Sequence, residues 1–415
     1  MDTPETPAPP PVPLDVTATD LHGEIRRLRA QGAIVRVALP GDLPAWVVTR
    51  HSLLQDLLAD ERIAKDPRHW SALTERTVPD GWPLIDFVRN PGMTTADGED
   101  HRRLRTLVTQ SFTPRRVAAM RPRVEADVHT LLDELDGLGT PRSRPVDLRR
   151  HFAYPLAMRS IGGLLGVPAE RYDTFRTLSA SLVSSTTGPE EVLATRRAMQ
   201  TLLGELVNAK RERPGEDIIS DLIAAGDRLS PAELIGTLVL MLVAGHGTTM
   251  NLITNAVRAL LTHPDQLAAV RAGSVPWTAV VEETLRWDSP VAHFPLRYAT
   301  EDIPLAGTVI RRGEAILASY AAAGRDPDQH GPGADEFDAN RAPTRHLAFG
   351  HGPHYCLGAA MARQEAEVAL PALFQRFPGL ELAVTPEELV PLPSFISNSV
   401  LELPVRLGQG APAAP

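Results

Sequence analysis

The chain carries one cysteine, Cys356, in the segment Phe349-Gly350-His351-Gly352-Pro353-His354-Tyr355-Cys356-Leu357-Gly358. A lone cysteine closes no intrachain disulfide and cannot by itself build a tetrahedral zinc site. It can serve as the single thiolate ligand of a haem iron, or as a nucleophile. The two glycines ahead of it let the backbone loop closely past a flat ligand without side-chain collisions. The residues after it, Leu357 to Glu365, are rich in good helix formers. Cys356 is therefore expected near a helix N-terminus, where free amides and the macrodipole favour a thiolate over a thiol.

Other residues capable of chemistry are scattered along the chain. Ala244-Gly245-His246-Gly247-Thr248-Thr249 places two glycines and two threonines inside an otherwise apolar helical stretch. Such residues weaken a helix, and a local violation of this kind often marks a site. His101 and Arg105 are spaced i, i+4 and share one helix face. Glu283 and Arg286, at i and i+3, would alone read as a solvated ion pair.

These residues need a scaffold. At 415 residues and 43 % hydrophobic the chain can bury a large core, and a net charge of −9 with no dominant basic block argues against a nucleic-acid binder. Met1 to Pro13 lacks the basic and apolar regions of a secretory signal, so residues 1–15 are expected to be a disordered Pro-rich leader. Residues 16–407 form one expected domain and 408–415 a disordered tail. The strongly apolar run Leu234 to Gly245 is too short to span a bilayer, which predicts a cytoplasmic protein without a membrane anchor.

The best helix signal starts at Ser230-Pro231-Ala232-Glu233, with an N-cap, a proline at the first helical position and a capping-box glutamate. Nothing forces an end before His263-Pro264, so about 30 residues and roughly 45 Å are expected. The first half is apolar nearly all round, as in a buried central helix. Further helices are predicted over 18–30, 52–58, 97–135 with a break at Thr113-Pro114, and 278–287. A hairpin is predicted for 33–39 and 45–49 around Pro40-Gly41-Asp42, and short strands near 295–310, 314–319, 380 and 400. The fold class is mainly α with small β-sheets.

Together these segments resemble one family. The cysteine loop matches Phe-Gly-x-Gly-x-His-x-Cys-x-Gly at every fixed position, Glu283-Thr284-Leu285-Arg286 matches Glu-x-x-Arg, Ala244-Gly245 with Thr248 resembles the oxygen-binding motif of a long central helix, and Asp97 to Arg105 resembles a haem-gripping basic helix. The chain is similar across almost its whole length to the soluble bacterial cytochromes P450, of actinobacterial type. The resemblance implies the cytochrome P450 fold, a long central helix over haem b (iron protoporphyrin IX), and a haem-thiolate monooxygenase with Cys356 as axial ligand. It implies that His101, Arg105, Arg297 and His354 reach the haem propionates by charge-assisted hydrogen bonds, with Ala244, Phe349, Leu357 and Gly358 also against the cofactor. Glu283, Arg286 and Arg341 become a buried network behind the loop. Leu240, Val243, Ala244, Ala292, His293, Phe395 and Ile396 are the implied substrate contacts, under a lid from 81–95 and 175–199.

The implied partners are dioxygen, a hydrophobic small-molecule substrate, and a ferredoxin with its reductase; the enzyme is expected to be a monomer. Arg102, Arg103, Arg115, Arg116 and Arg363 offer a basic patch for an acidic ferredoxin. The sequence departs from the family at Gly247, where an acid usually precedes the motif threonine. Thr248 and Thr249 remain. His246 is set against as a substitute, because one residue along a helix turns a side chain by about 100°. Proton supply is therefore expected through ordered water or a polar group of the substrate. The same departure leaves open oxidative coupling of two rings, and a haem-thiolate binding protein without turnover. A hydrolase using Cys356 with His354 is a third class.

Overall fold

The computed structural model describes residues 10–139 and 144–408. The expected leader lies partly outside these residues, and within them it is corrected. Val12–Pro13 forms a short strand, β1, parallel to Val37 and Ala38, and Leu14 is buried. Val12 and Leu14 pack into the apolar cluster on the sheet, which outweighs the prolines around them. Beyond Gly408 the tail is outside the described residues.

The main sheet continues with β2 (Ile34–Leu39), β3 (Leu43–Val48), β4 (Ile63–Ala64), β5 (His293–Ala299) and β6 (Ala315–Ser319), in the order β1-β2-β3-β6-β5-β4. The predicted hairpin is β2–β3, antiparallel from Ile34 opposite Val48 to Leu39 opposite Leu43. Its turn, Pro40–Asp42, uses Gly41 at φ 75°, a left-handed value that glycine adopts freely. Val37, Val47, Ala315 and Leu317 fill one face beneath Trp70 and Tyr298.

The central helix runs Pro231–Thr262 without interruption. Its capping box is made: the Glu233 amide donates to Ser230 Oγ at 3.3 Å, and the Ser230 amide donates to Glu233 Oε2 at 2.8 Å. Burial is distributed differently from expectation. The second half is enclosed on every side from Asn251 to Val257, whereas Leu240, Val243 and Ala244 in the first half border open space. The second half packs on the helices Pro114–Leu138, Trp277–Trp287 and Ala359–Arg376; the first packs under Tyr154–Leu165, Tyr172–Val183 and Pro189–Glu212. By length and composition this helix could cross a membrane, yet half of its most apolar window is buried inside the fold, as befits a core helix.

Asp288, fully buried beyond the Trp277–Trp287 helix, fastens distant segments together. It accepts from Arg258 on the central helix, from His22 at 3.2 Å and from Asn398 at 2.8 Å. Burial alone would raise its carboxyl pKa, but Arg258, His22 and Arg325 outweigh that and hold it well below the carboxylate range. Its ionised form is therefore favoured by folding. That stability is fully present above the unfolded pKa, about 3.9, and is lost as pH falls below it. Urea midpoints measured from pH 6 to pH 3 should fall for the wild type, and Asp288→Asn should flatten that acid limb; parallel slopes would refute the assignment.

Candidate active site

Gly350 and Gly352 hold φ values of 73° and 70°, and a Cβ on Gly352 would stand 2.8 Å from the Leu58 carbonyl oxygen. Both reasons demand glycine. The loop closes where the Cys356 amide donates to Phe349 O at 2.9 Å. Arg363, one turn into the helix Ala359–Arg376, stacks 4.5 Å above the Phe349 ring and binds both oxygens of Glu282 at 2.5 and 3.0 Å. Glu282 also meets His346 at 3.0 Å, so the loop is clamped from behind.

Cys356 is exposed at the loop's mouth. Protein walls remove bulk water from around the sulfur and push its pKa up, against the amides of Gly358 and Ala359 and the charges of Arg105 and Arg363. A coordinated metal ion reverses this balance by deprotonating the thiol outright.

Beside the loop the cationic side chains converge. His101, on the helix Gly98–Thr109, lies with its ring centroid 4.2 Å from that of His354. Arg297 is buried on β5 against Tyr320. Lys65, which sequence reasoning missed, is buried with its Nζ on the carbonyls of Pro295 and Leu296 at 3.2 and 2.8 Å. Burial and the Arg297 charge hold its pKa well below the usual lysine value. Arg105 does not join them by a free headgroup: its Nη2 donates to Tyr355 O at 2.6 Å, tying the basic helix to the cysteine loop. The one nearby carboxylate, Asp97, is spent on the amides of Lys65 and Asp66 and stays 3.8 Å from His354. His101 Nε2 is buried without a partner. The buried Arg297 guanidinium, the imidazole of His354 and the orphaned His101 ring nitrogen are hydrogen-bonding groups that fit the two carboxylates of haem b. His354 lies beside Asp97 and His101.

On the other side of the cavity, Thr248 lines the wall and donates from Oγ1 to Ala244 O at 2.6 Å. A Cβ on Gly247 would meet nothing within 4 Å, so an acid is absent there without any steric need for glycine. Gly245 is different, since its Cβ would strike Ile161 at 2.5 Å. Thr249 is corrected: it is buried away from the cavity, as the helical turn from Thr248 requires. His246 does reach the wall. Its Nδ1 lies 2.7 Å from Leu242 O and so carries the proton, and burial lowers its pKa to about 4.

The cavity, about 300 Å³, is lined mostly by apolar side chains. Leu240, Val243, Ala244 and Ile396 border it as expected, as do Phe87 and Leu182 from the lid. Ala292, His293 and Phe395 are corrections: all three are fully buried in the core, and their neighbours Val291, Phe294 and Ile396 face the cavity instead. Alternation along an extended strand sends neighbours to opposite faces. The basic patch is also corrected. Arg103, Arg116 and Arg363 pair with Glu233, Asp221 and Glu282, and Arg102 lies 3.8 Å from Glu99; Arg102, Arg103, Arg115 and Arg116 are exposed, whereas Arg363 is partly buried.

The family model for cytochrome P450 matches residues 277–400. The chain is 43 % identical over 401 residues to the 2-hydroxy-5-methyl-1-naphthoate 7-hydroxylase of Streptomyces carzinostaticus, covering 96 % of this chain and 97 % of that one. It is 39 % identical to the vitamin D(3) 25-hydroxylase of Pseudonocardia autotrophica, covering 93 % and 94 %. Among solved structures, CYP154C4 from Streptomyces sp. W2061 superimposes with a TM-score of 0.94 at 45 % identity, covering 97 % and 99 %.

Proposed function

Since this chain belongs to the cytochrome P450 family and is a haem-thiolate monooxygenase, we propose that it hydroxylates an apolar, ring-containing small molecule with electrons from a ferredoxin and its reductase. The observation that supports this most is the pairing of the cysteine loop and its cation cluster with a Thr248-lined apolar cavity. Relatives named for hydroxylating a naphthoate and vitamin D(3) act on ring systems of suitable character. Arg102, Arg103, Arg115 and Arg116 are exposed charges an acidic electron donor would meet.

When bound, haem b supplies dioxygen activation and oxygen transfer, with a cysteine thiolate favouring O–O cleavage. In the proposed roles, Cys356 holds the iron, and His101, Arg297 and His354 hold the propionates, with Lys65 behind them. Arg105 keeps the loop in register through Tyr355. Leu240, Val243, Phe294 and Ile396 exclude water and orient the substrate by shape. Thr248 Oγ1 already donates to Ala244 O, so its lone pairs are free to accept from a water. The open space at Gly247 is where that water enters. His246 is neutral at pH 7 with its one proton committed to Leu242, so it does not replace the acid.

The test is haem-loaded protein with reduced nicotinamide, ferredoxin reductase, ferredoxin and a panel of fused-ring substrates. Wild type should add one oxygen atom to a panel member, and Gly247→Asp should raise product per nicotinamide consumed by about twofold or more. Ring-coupled dimers in place of hydroxylated product would overturn the hydroxylase proposal. Unchanged coupling in Gly247→Asp would sink the water-relay role.

A further inference from the structure

One corner of the cavity is not apolar. Arg149, His246 and Asn251 all line it, and they are 7 %, 3 % and 2 % exposed. They come from two elements: Arg149 opens the helical turn ahead of Tyr154–Leu165, and the other two lie on the central helix.

The Arg149 guanidinium is a buried cation without an ion pair of its own among the described residues. Its Nη1 donates to Ser399 Oγ at 3.1 Å. The nearest carboxylate, Asp147, accepts instead from the backbone amides of Arg149 and Leu403 at 3.1 and 2.9 Å. The other charged groups of the wall have ion-pair partners, Asp86 with Arg196 at 2.5 Å and Arg176 with Asp173 at 3.4 Å, although Asp86 Oδ2 is itself buried without a partner. Buried charges are ordinarily paired, because an isolated one forfeits several kcal/mol of hydration. Burial accordingly lowers the Arg149 pKa to about 10, which still leaves it charged at neutral pH.

The two neighbours extend the corner. With its proton on Nδ1, His246 has Nε2 as a lone-pair acceptor, and the Arg149 charge is felt at that ring. Asn251 Nδ2 donates to Pro290 O at 3.3 Å, and its Oδ1 is buried without a partner. A cation flanked by two acceptors matches an oxygen anion that carries a hydroxyl or N–H beside it.

We propose that Arg149, with His246 and Asn251, is a substrate-anchoring site for a carboxylate with an adjacent hydroxyl on an otherwise apolar ring system, and that it fixes which end of the substrate is held. This deepens the hydroxylase reading and rests on it. Arg149 is a specificity residue that takes no part in oxygen chemistry.

The probes are 3-hydroxy-2-naphthoate and its methyl ester, equal in ring system and hydroxyl and differing in charge, titrated into the ferric haem-loaded protein by calorimetry and by the Soret shift. Wild type should bind the acid about tenfold or more tightly than the ester, the size of a charge-assisted hydrogen bond. Arg149→Met should erase that preference and keep ester affinity, and Arg149→Lys should retain part of it. Equal wild-type affinity for acid and ester, or no measurable acid binding, overturns the proposal without requiring any variant to fold. An intact acid preference in Arg149→Met overturns it too. The red-shifted Soret band of the reduced carbon monoxide complex, recorded on each sample, reports the haem-thiolate premise separately: its absence would condemn that premise, and its presence beside equal affinities would condemn only the anchor.

Discussion

Arg286→Lys is expected to lower stability by about 3–5 kcal/mol in urea unfolding and to yield protein that does not retain haem. The reason lies in a donor count. Arg286 Nε and Nη2 bind the two Glu283 oxygens at 2.7 and 2.6 Å, Nη1 binds the carbonyls of Gly324 and Ala334, both at 2.7 Å, and Nη2 also binds Glu336 O at 2.8 Å. All five guanidinium N–H groups are used in a site from which water is excluded. Lysine offers three donors on a flexible stem and cannot reproduce the planar fork. Each orphaned carbonyl then carries its own desolvation cost. Glu283 additionally accepts from the Asp338 amide at 2.8 Å and Arg341 Nε at 3.4 Å, so Glu283→Gln should fall in the same range. The segment from Gly324 to Arg341 that these bonds fasten leads directly into the cysteine loop, which links stability to haem retention. A loss below about 1 kcal/mol, the level of an exposed pair, would refute the argument.

Cys356→Ser is expected to lose the red-shifted reduced carbon monoxide band and at least about a hundredfold in hydroxylation rate, equivalent to about 2.7 kcal/mol of barrier. Its fold should persist. The bond that closes the loop is the Cys356 amide to Phe349 O, which serine keeps, and the change removes little volume. Apoprotein circular dichroism and urea midpoint should therefore match wild type while the spectral signature disappears. A serine variant that retained the band would remove Cys356 from the axial position.

Local signals made much of this legible. The cysteine loop, the capping box and the glycine-rich turn of the hairpin each lie within a few residues, and the physics that reads them acts over the same distance. The cavity wall was legible only to within one residue. Choosing Ala292, His293 and Phe395 over Val291 and Phe294 is a single step of register, and nothing local in the residue types fixes which face meets the cavity. Arg149 was invisible for another reason. Next to Arg150 it reads as a solvated basic pair, and only the fold places it beside Asn251.

The fastening at Asp288 bears on how the chain reaches its native state. His22 and Asn398 lie 266 and 110 residues from it along the sequence. Contacts of such separation carry a large loop-closure cost and raise contact order, which slows folding. The junction also needs Asn398, so no nascent chain still short of that residue can complete it. The ribosome must therefore release Asn398 from its exit tunnel before this junction can lock.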